Sequence, residues 1–194
     1  LDFIRPWSLV TEMHKLGYIL NRTEESNAYA AWHDRWMREI DQRVATIPEE
    51  KRVRVFIDIW STSFTDRSNE RRTAGQGQWY SYGQYCIDGG GINVARDISN
   101  PQSTVDIEWL AQQNPDIILG VMYDGSYESA DNSVLKAQYD ELVSHPTLKD
   151  IKAIKEKRIY VLSYRYTNGL TYPAARARVA KWFYPELFSD INPA

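Results

Sequence analysis

Residues 105–120 read V-D-I-E-W-L-A-Q-Q-N-P-D-I-I-L-G, and this stretch decides the fold class. Ile107, Leu110 and Ala111 follow the i, i+3, i+4 spacing of one helical face, which predicts a short amphipathic helix. Pro115 cannot continue that helix and drives Asn114 out of the helical region. Ile117, Ile118 and Leu119 then form an apolar run without alternation, as in a strand covered on both faces. Helix, proline turn and doubly covered strand together predict an α/β protein with a parallel sheet.

The rest of the chain extends this pattern in both directions. A helix is expected from Pro6 to Leu20, and a longer one from Asn21 or Thr23 to Ile47. Ala28, Trp32, Trp36, Ile40 and Val44 recur every four residues on the longer helix and are read as one packing stripe. Arg52 to Trp60 reads as the first strand, with Val53, Val55, Ile57 and Ile59 on one face and Phe56, Asp58 and Trp60 on the other. Residues 61–78 read as a long polar loop, Trp79 to Ile87 as a short helix stopped by Gly89-Gly90-Gly91, and Ile92 to Ala95 as a short strand. Beyond Gly120, a polar aromatic loop at 122–131 precedes helices from Asn132 to Val143 and from Leu148 to Ile154. Arg158 to Ser163 is the third clear strand, 164–169 its loop, and Tyr172 to Phe183 the last helix. Crossovers of a dozen residues or more between strands imply helices on both faces of the sheet.

Composition narrows the function classes. The 194 residues carry a formal charge of −3, so there is no basic footprint for nucleic acid. No run approaches a membrane span. The chain starts at Leu1 and is read as a fragment of a longer protein. The single cysteine, Cys86, excludes an internal disulfide and a thiolate metal cluster, and is read as a small core residue. His14, His33 and His145 are scattered, with no second ligand at metal spacing. Gly75-Gln76-Gly77 lacks the third glycine of a dinucleotide loop, and no Gly-x-Ser-x-Gly elbow occurs. Asp58 is read as a solvent-facing or hydrogen-bonded strand residue in preference to a catalytic base. No catalytic site and no metal site are assembled.

Aromatics are abundant instead, with seven Trp and thirteen Tyr. In parallel sheets, ligands bind beyond the carboxyl ends of the strands. There the sequence places Trp60, the loop carrying Trp79 and Tyr80, the Met122-Tyr123-Asp124 segment, and Tyr164-Arg165-Tyr166. An arginine among aromatics grips an anionic or chelated ligand by charge, paired hydrogen bonds and stacking.

Val105 to Leu119 resembles a motif of the periplasmic-type substrate-binding proteins of iron–siderophore, haem and cobalamin ABC importers. Asp88 to Ala95, D-G-G-G-I-N-V-A, resembles that family's glycine-rich segment. His145 to Lys149, Ile151 to Leu162 and Ala180 to Phe188 resemble its closing strand and helix, and Lys15 to Ser26 resembles the entry to its long interlobe helix. The resemblance covers essentially the whole chain. It implies a Rossmann-like C-terminal α/β lobe at 49–194, preceded by a helical segment at 1–48 that contains the interlobe helix, with the N-terminal lobe absent from this chain. It implies a protein that binds a metal chelate outside the cytoplasm (periplasmic or cell-surface), without catalysis or a cofactor of its own, and delivers it to the importer's permease. The implied ligand residues are Trp60, Trp79, Tyr80, Tyr123, Arg165 and Tyr166. Glu108 matches the position of a surface Glu that docks onto permease arginines, although a Glu in a first helical turn also favours the helix dipole. Two other readings are an α/β enzyme, or enzyme-associated domain, sharing the lobe fold, and a partner-binding module using Trp32 and Trp36 of the long helix.

Overall fold

The computed structural model describes residues 1–60, 69–75, 82–100, 102–122 and 131–192, with the backbone alone at 164 and 165. Helix α1 (Leu9–Ile19) and helix α2 (Thr23–Ala45) form a hairpin at the start of the chain. Their close crossing requires Gly17, because a Cβ there would collide with Ser26 and the Arg22 carbonyl. Strand β1 (Arg54–Trp60) follows, then strand β2 (Glu70–Thr73), helix α3 (Gly83–Asp88) and strand β3 (Ile92–Asn93). Strand β4 (Ser103–Asp106) runs directly into helix α4 (Ile107–Gln113), and strand β5 (Ile117–Met122) comes next. Helices α5 (Ser133–Ser144) and α6 (Lys152–Lys155), strand β6 (Ile159–Ser163), the single turn α7 (Tyr164–Thr167) and helix α8 (Tyr172–Phe183) complete the described elements.

The sheet order is β4-β2-β1-β5-β6, with β3 also paired to β1. β1 is parallel to β3 and β5, and β5 is parallel to β6. The expected α/β sheet flanked by helices is therefore present. Its core strands are covered on both faces: six of seven residues of β1 and all six of β5 are buried, which explains their unalternated apolar sequence. Val55, Ile57 and Ile59 join Tyr85, Cys86, Val179 and Phe183 on one side. Phe56 and Trp60 join Ile107, Leu110, Leu142 and Leu148 on the other.

Several boundaries differ from the sequence reading. The long polar loop contains β2, which is antiparallel to β1. Its Glu-Arg-Arg start masks a strand that is buried only at Thr73. Val105 and Asp106 end β4 and do not begin the helix. The Asp106 carboxylate caps α4 by accepting the Trp109 N–H at 2.6 Å. The turn after Ser163 is helical, not irregular. On α2 the buried residues are Ser26, Ala30, His33 and Ile40, while Ala28 is exposed. A strict four-residue spacing drifts by about 40° per step around a helix, so the expected stripe packs together only at Trp36, Ile40 and Val44 and leaves Ala28 in solvent.

One buried ion pair fixes the antiparallel strand. Asp58 on β1 is 0% exposed. Its carboxylate accepts the Trp60 indole N–H at 2.6 Å and the Arg71 guanidinium at 2.5 and 3.2 Å. Arg71 Nη1 also lies 3.8 Å from Glu141 on α5. Burial works against the Arg71 charge, yet the adjacent, hydrogen-bonded Asp58 holds the guanidinium pKa above its ordinary value. Removing one partner strands the other charge in the core. Arg71→Ala is expected to lower stability by about 3–5 kcal/mol, and Asp58→Leu/Arg71→Met to recover most of that loss, as measured by urea unfolding.

Candidate functional site

The parallel strands end in register. Trp60 of β1 pairs with Met122 of β5, and Met122 with Ser163 of β6. Whatever follows these three residues emerges from one rim of the sheet. β4 reaches the same rim by a different route. Thr73 of β2 stands opposite both Asp58 and Ser103. Two antiparallel pairings make β4 parallel to β1, so Asp106 lies three residues beyond the level of Asp58, past Trp60. The start of α4, with Glu108, therefore belongs to the carboxyl rim as well. Glu108 is exposed.

Of the expected ligand residues, Trp60 occupies the anticipated strand end, but its side chain is 2% exposed and its indole N–H is committed to Asp58. In this structure it packs between the sheet and α4 and offers no surface. Trp79, Tyr80 and Tyr123 lie outside the described residues. Arg165 has its backbone in α7, and its side chain lies outside what is described. Tyr166 is half-buried on the same turn, with the Arg178 guanidinium 5.9 Å from its ring centroid.

The Tyr166 turn has a firm foundation that was not anticipated from the sequence. Thr171 Oγ1 donates to the Tyr166 carbonyl at 2.9 Å, and Thr167 is fully buried. Tyr85 donates to Asn168 at 3.3 Å. Beneath lie Tyr82, Tyr85 and Tyr172, with ring centroids 6.4–6.5 Å apart in succession. Tyr172 donates to the Asp88 carboxylate, and its own pKa is raised, chiefly by burial and then by that carboxylate. Arg176 donates to the Asp88 carbonyl at 3.0 Å and to Asp41 at 2.6 Å. Part of the tyrosine excess is thus structural, supporting the rim from below. A signal was present in the i, i+3 pair Tyr82 and Tyr85 on one short helix.

Asp58 does not have the setting of a general base: both carboxylate oxygens are engaged, and the side chain is out of solvent. Cys86 is fully buried and its thiol pKa is pushed up by that burial, which suits a packing residue. Among the described residues no cluster of His, Cys, Asp and Glu forms a candidate metal centre. Among them, too, no helix is long and apolar enough to cross a membrane. Trp36 packs beside Ile40, Ala177 and Phe188, and Trp32 is half-buried with its ring 5.7 Å from Tyr29.

The comparisons with known proteins agree with this architecture. The model of the family described as periplasmic binding protein matches residues 5–166, and the chain belongs to that family. A TroA-like periplasmic binding protein, FepB, from Veillonella parvula superposes with a TM-score of 0.80 at 19% identity, over 97% of this chain and 55% of that one. An ABC transporter substrate-binding protein from Listeria monocytogenes gives 0.66 at 25% identity, over 96% and 67%. Staphylococcus aureus IsdE, solved with haem, gives 0.67 at 20% identity, over 94% and 66%. This chain therefore spans little more than half the length of FepB. No curated protein matches the sequence.

The two acidic residues at the start of α4 differ in structural weight. Asp106→Ala is expected to lower stability by about 1 kcal/mol, through loss of the cap. Glu108→Gln is expected to change it by no more than about 0.5 kcal/mol, since its only structural contribution is to the helix dipole. Thermal and urea unfolding of the two variants check this.

Proposed function

We propose that this chain is the interlobe helix and C-terminal lobe of the substrate-binding protein of an ABC importer, acting outside the cytoplasm on a metal chelate: a ferric siderophore, haem or cobalamin. Residues 1–48 supply the helical segment with its interlobe helix, 49–194 the lobe, and a second lobe outside this chain completes the cleft. The observation that carries this reading is the common rim, where strand ends β1, β5 and β6 and the start of α4 meet in a chain that matches the periplasmic binding protein family. The haem bound by IsdE supports the chelate class.

Tyr166, on its braced turn, presents an aromatic face to the ligand, and Arg165, Tyr123, Trp79 and Tyr80 act with it. Trp60 serves from behind, as part of the packed floor at the end of β1. Glu108 docks onto basic residues of the permease. Nothing in this role requires bond making or breaking, and the committed Asp58 supports a binding function over an enzymatic one.

The test is quenching of tryptophan fluorescence on titration with ferric siderophores, haem and cobalamin, using the chain joined to its second lobe. Saturable quenching by one class is expected, and quenching by none of them overturns the chelate reading. Tyr166→Ala is expected to weaken binding about two- to tenfold. Glu108→Ala is expected to leave binding intact and to reduce uptake into vesicles carrying the permease; full uptake by that variant sinks the docking role.

A further inference from the structure

The end of the sheet opposite the rim holds a second site. A cavity of about 300 Å³ lies where β1 begins, between the turn before it, β3 and α3. Its walls include Glu49, Arg52, Ile87, Ile92, Asn93 and Arg96. β3 pairs with Arg54 and Val55, the first residues of β1. The cavity is thus separated from the ligand rim by the length of the strand.

Its polar groups are unevenly satisfied. Asn93 is fully engaged, donating to the Ala74 carbonyl at 2.7 Å and accepting the Ala95 N–H at 2.9 Å. Arg52 is not: its Nε is buried without a hydrogen-bond partner among the described residues. A guanidinium N–H kept from water and left unmatched is costly, and in native proteins such a group calls for an explanation. Arg96 is exposed on the same wall. Among the described residues no carboxylate lies within 4.0 Å of either guanidinium, whereas the buried Arg176 and the largely covered Arg71 are both paired with carboxylates.

We propose that this cavity is a binding site for a small organic monocarboxylate, distinct from the chelate site and independent of the transport reading. Planar guanidinium forks match a carboxylate with paired, charge-assisted hydrogen bonds. Two arginines against the single Glu49 leave one net positive charge on the wall, which suits a monoanion better than a phosphate dianion. Ile87 and Ile92 supply an apolar surface for the carbon skeleton, and Ile87 is otherwise 57% exposed. A volume near 300 Å³ is at the small end of ligand pockets and admits an acid of benzoate size.

The test titrates the chain with acetate, butyrate, benzoate and inorganic phosphate at fixed ionic strength, followed by calorimetry and by amide shifts in NMR spectra. Benzoate and butyrate are expected to saturate, more tightly than acetate or phosphate, and to shift the amides of Gly83 and Ile92 but not those of Glu108 and Tyr166. Arg96→Ala changes an exposed side chain and keeps the fold. Arg52→Gln is checked for folding by circular dichroism. Weakening of about tenfold or more in either folded variant supports the site. Three results overturn it: no saturation by any carboxylate below about 10 mM, undiminished binding in both variants, or phosphate binding as tightly as benzoate.

Discussion

Asp58 carries a full charge in the middle of the sheet, and that charge has to be answered from inside the protein. The alternation of β1 puts Asp58 on the same face as Phe56 and Trp60, among apolar side chains of α4 and α5. An unpaired carboxylate there would be untenable. Arg71 supplies the counter-charge, and its position is possible only if the chain returns beside β1 as an antiparallel strand. That return has a topological consequence. β4, pairing with β2, is restored to the direction of β1, and α4 then starts at the carboxyl end of the sheet. One buried carboxylate is thereby tied to the placement of Glu108 on the carboxyl rim of the sheet. A buried ion pair is a poor source of net stability, but it discriminates strongly among pairings, because a wrong register leaves two charges unmatched.

The same pair explains what could and could not be read from the sequence. β1 and β5 were legible because strands covered on both faces are written in consecutive apolar residues, and Ile117 to Leu119 meets that condition, while β6, buried only at Leu162, was legible from its apolar run Ile159 to Leu162. α8 was legible to the residue, bounded by Gly169 and Pro185 and apolar on the buried side. β2 was not, because Glu70, Arg71 and Arg72 read as loop by every local measure. Their strand state comes from Asp58, twelve or more residues away, and no periodicity encodes a long-range charge partner. β4 was hidden similarly, since Ser103 and Thr104 take their conformation from pairing with Thr73 and Arg72. On α2 the expected stripe packs in its carboxyl half, at Trp36, Ile40 and Val44, whereas toward the amino end the small and polar Ser26, Ala30 and His33 are the buried residues.

The candidate site shows the same division. Position along the chain was readable, since the ends of parallel strands are where such sheets bind ligands. Orientation was not. Trp60 occupies a strand end, yet it points to the face where Asp58 needs a donor, and the indole N–H is consumed there. Tyr166 stands one turn beyond its strand, on a segment that Thr171 and the tyrosines of α3 and α8 hold in place. A single sequence distinguishes these two aromatics poorly, because the difference lies in what the neighbouring face of the sheet already demands.

In the role proposed for α2, as a helix between two lobes, it would transmit position only if its seat resists rolling, and its contacts meet that condition. Its 23 residues span about 34 Å. The carboxyl half is seated through Ile40 packed on Ala177, Ala180 and Phe188, and the amino half is tied by Tyr29, whose hydroxyl donates to the Leu170 carbonyl at 3.2 Å. Asp41 and Arg43 fall on either side of Ile40 around the helix axis. Asp41 is held by Arg176 at 2.6 Å, while Arg43 binds Asp190 through both terminal nitrogens at 2.6 and 2.8 Å and also donates to the Leu187 carbonyl at 2.9 Å. An apolar contact alone permits a helix to roll about its axis; clamps on both flanks do not. Arginine is the suitable residue on each side, because a planar fork fixes direction as well as distance, where a lysine would leave a swivel. The amino half of α2 is packed by α1, at the close crossing set by Gly17 and Ser26.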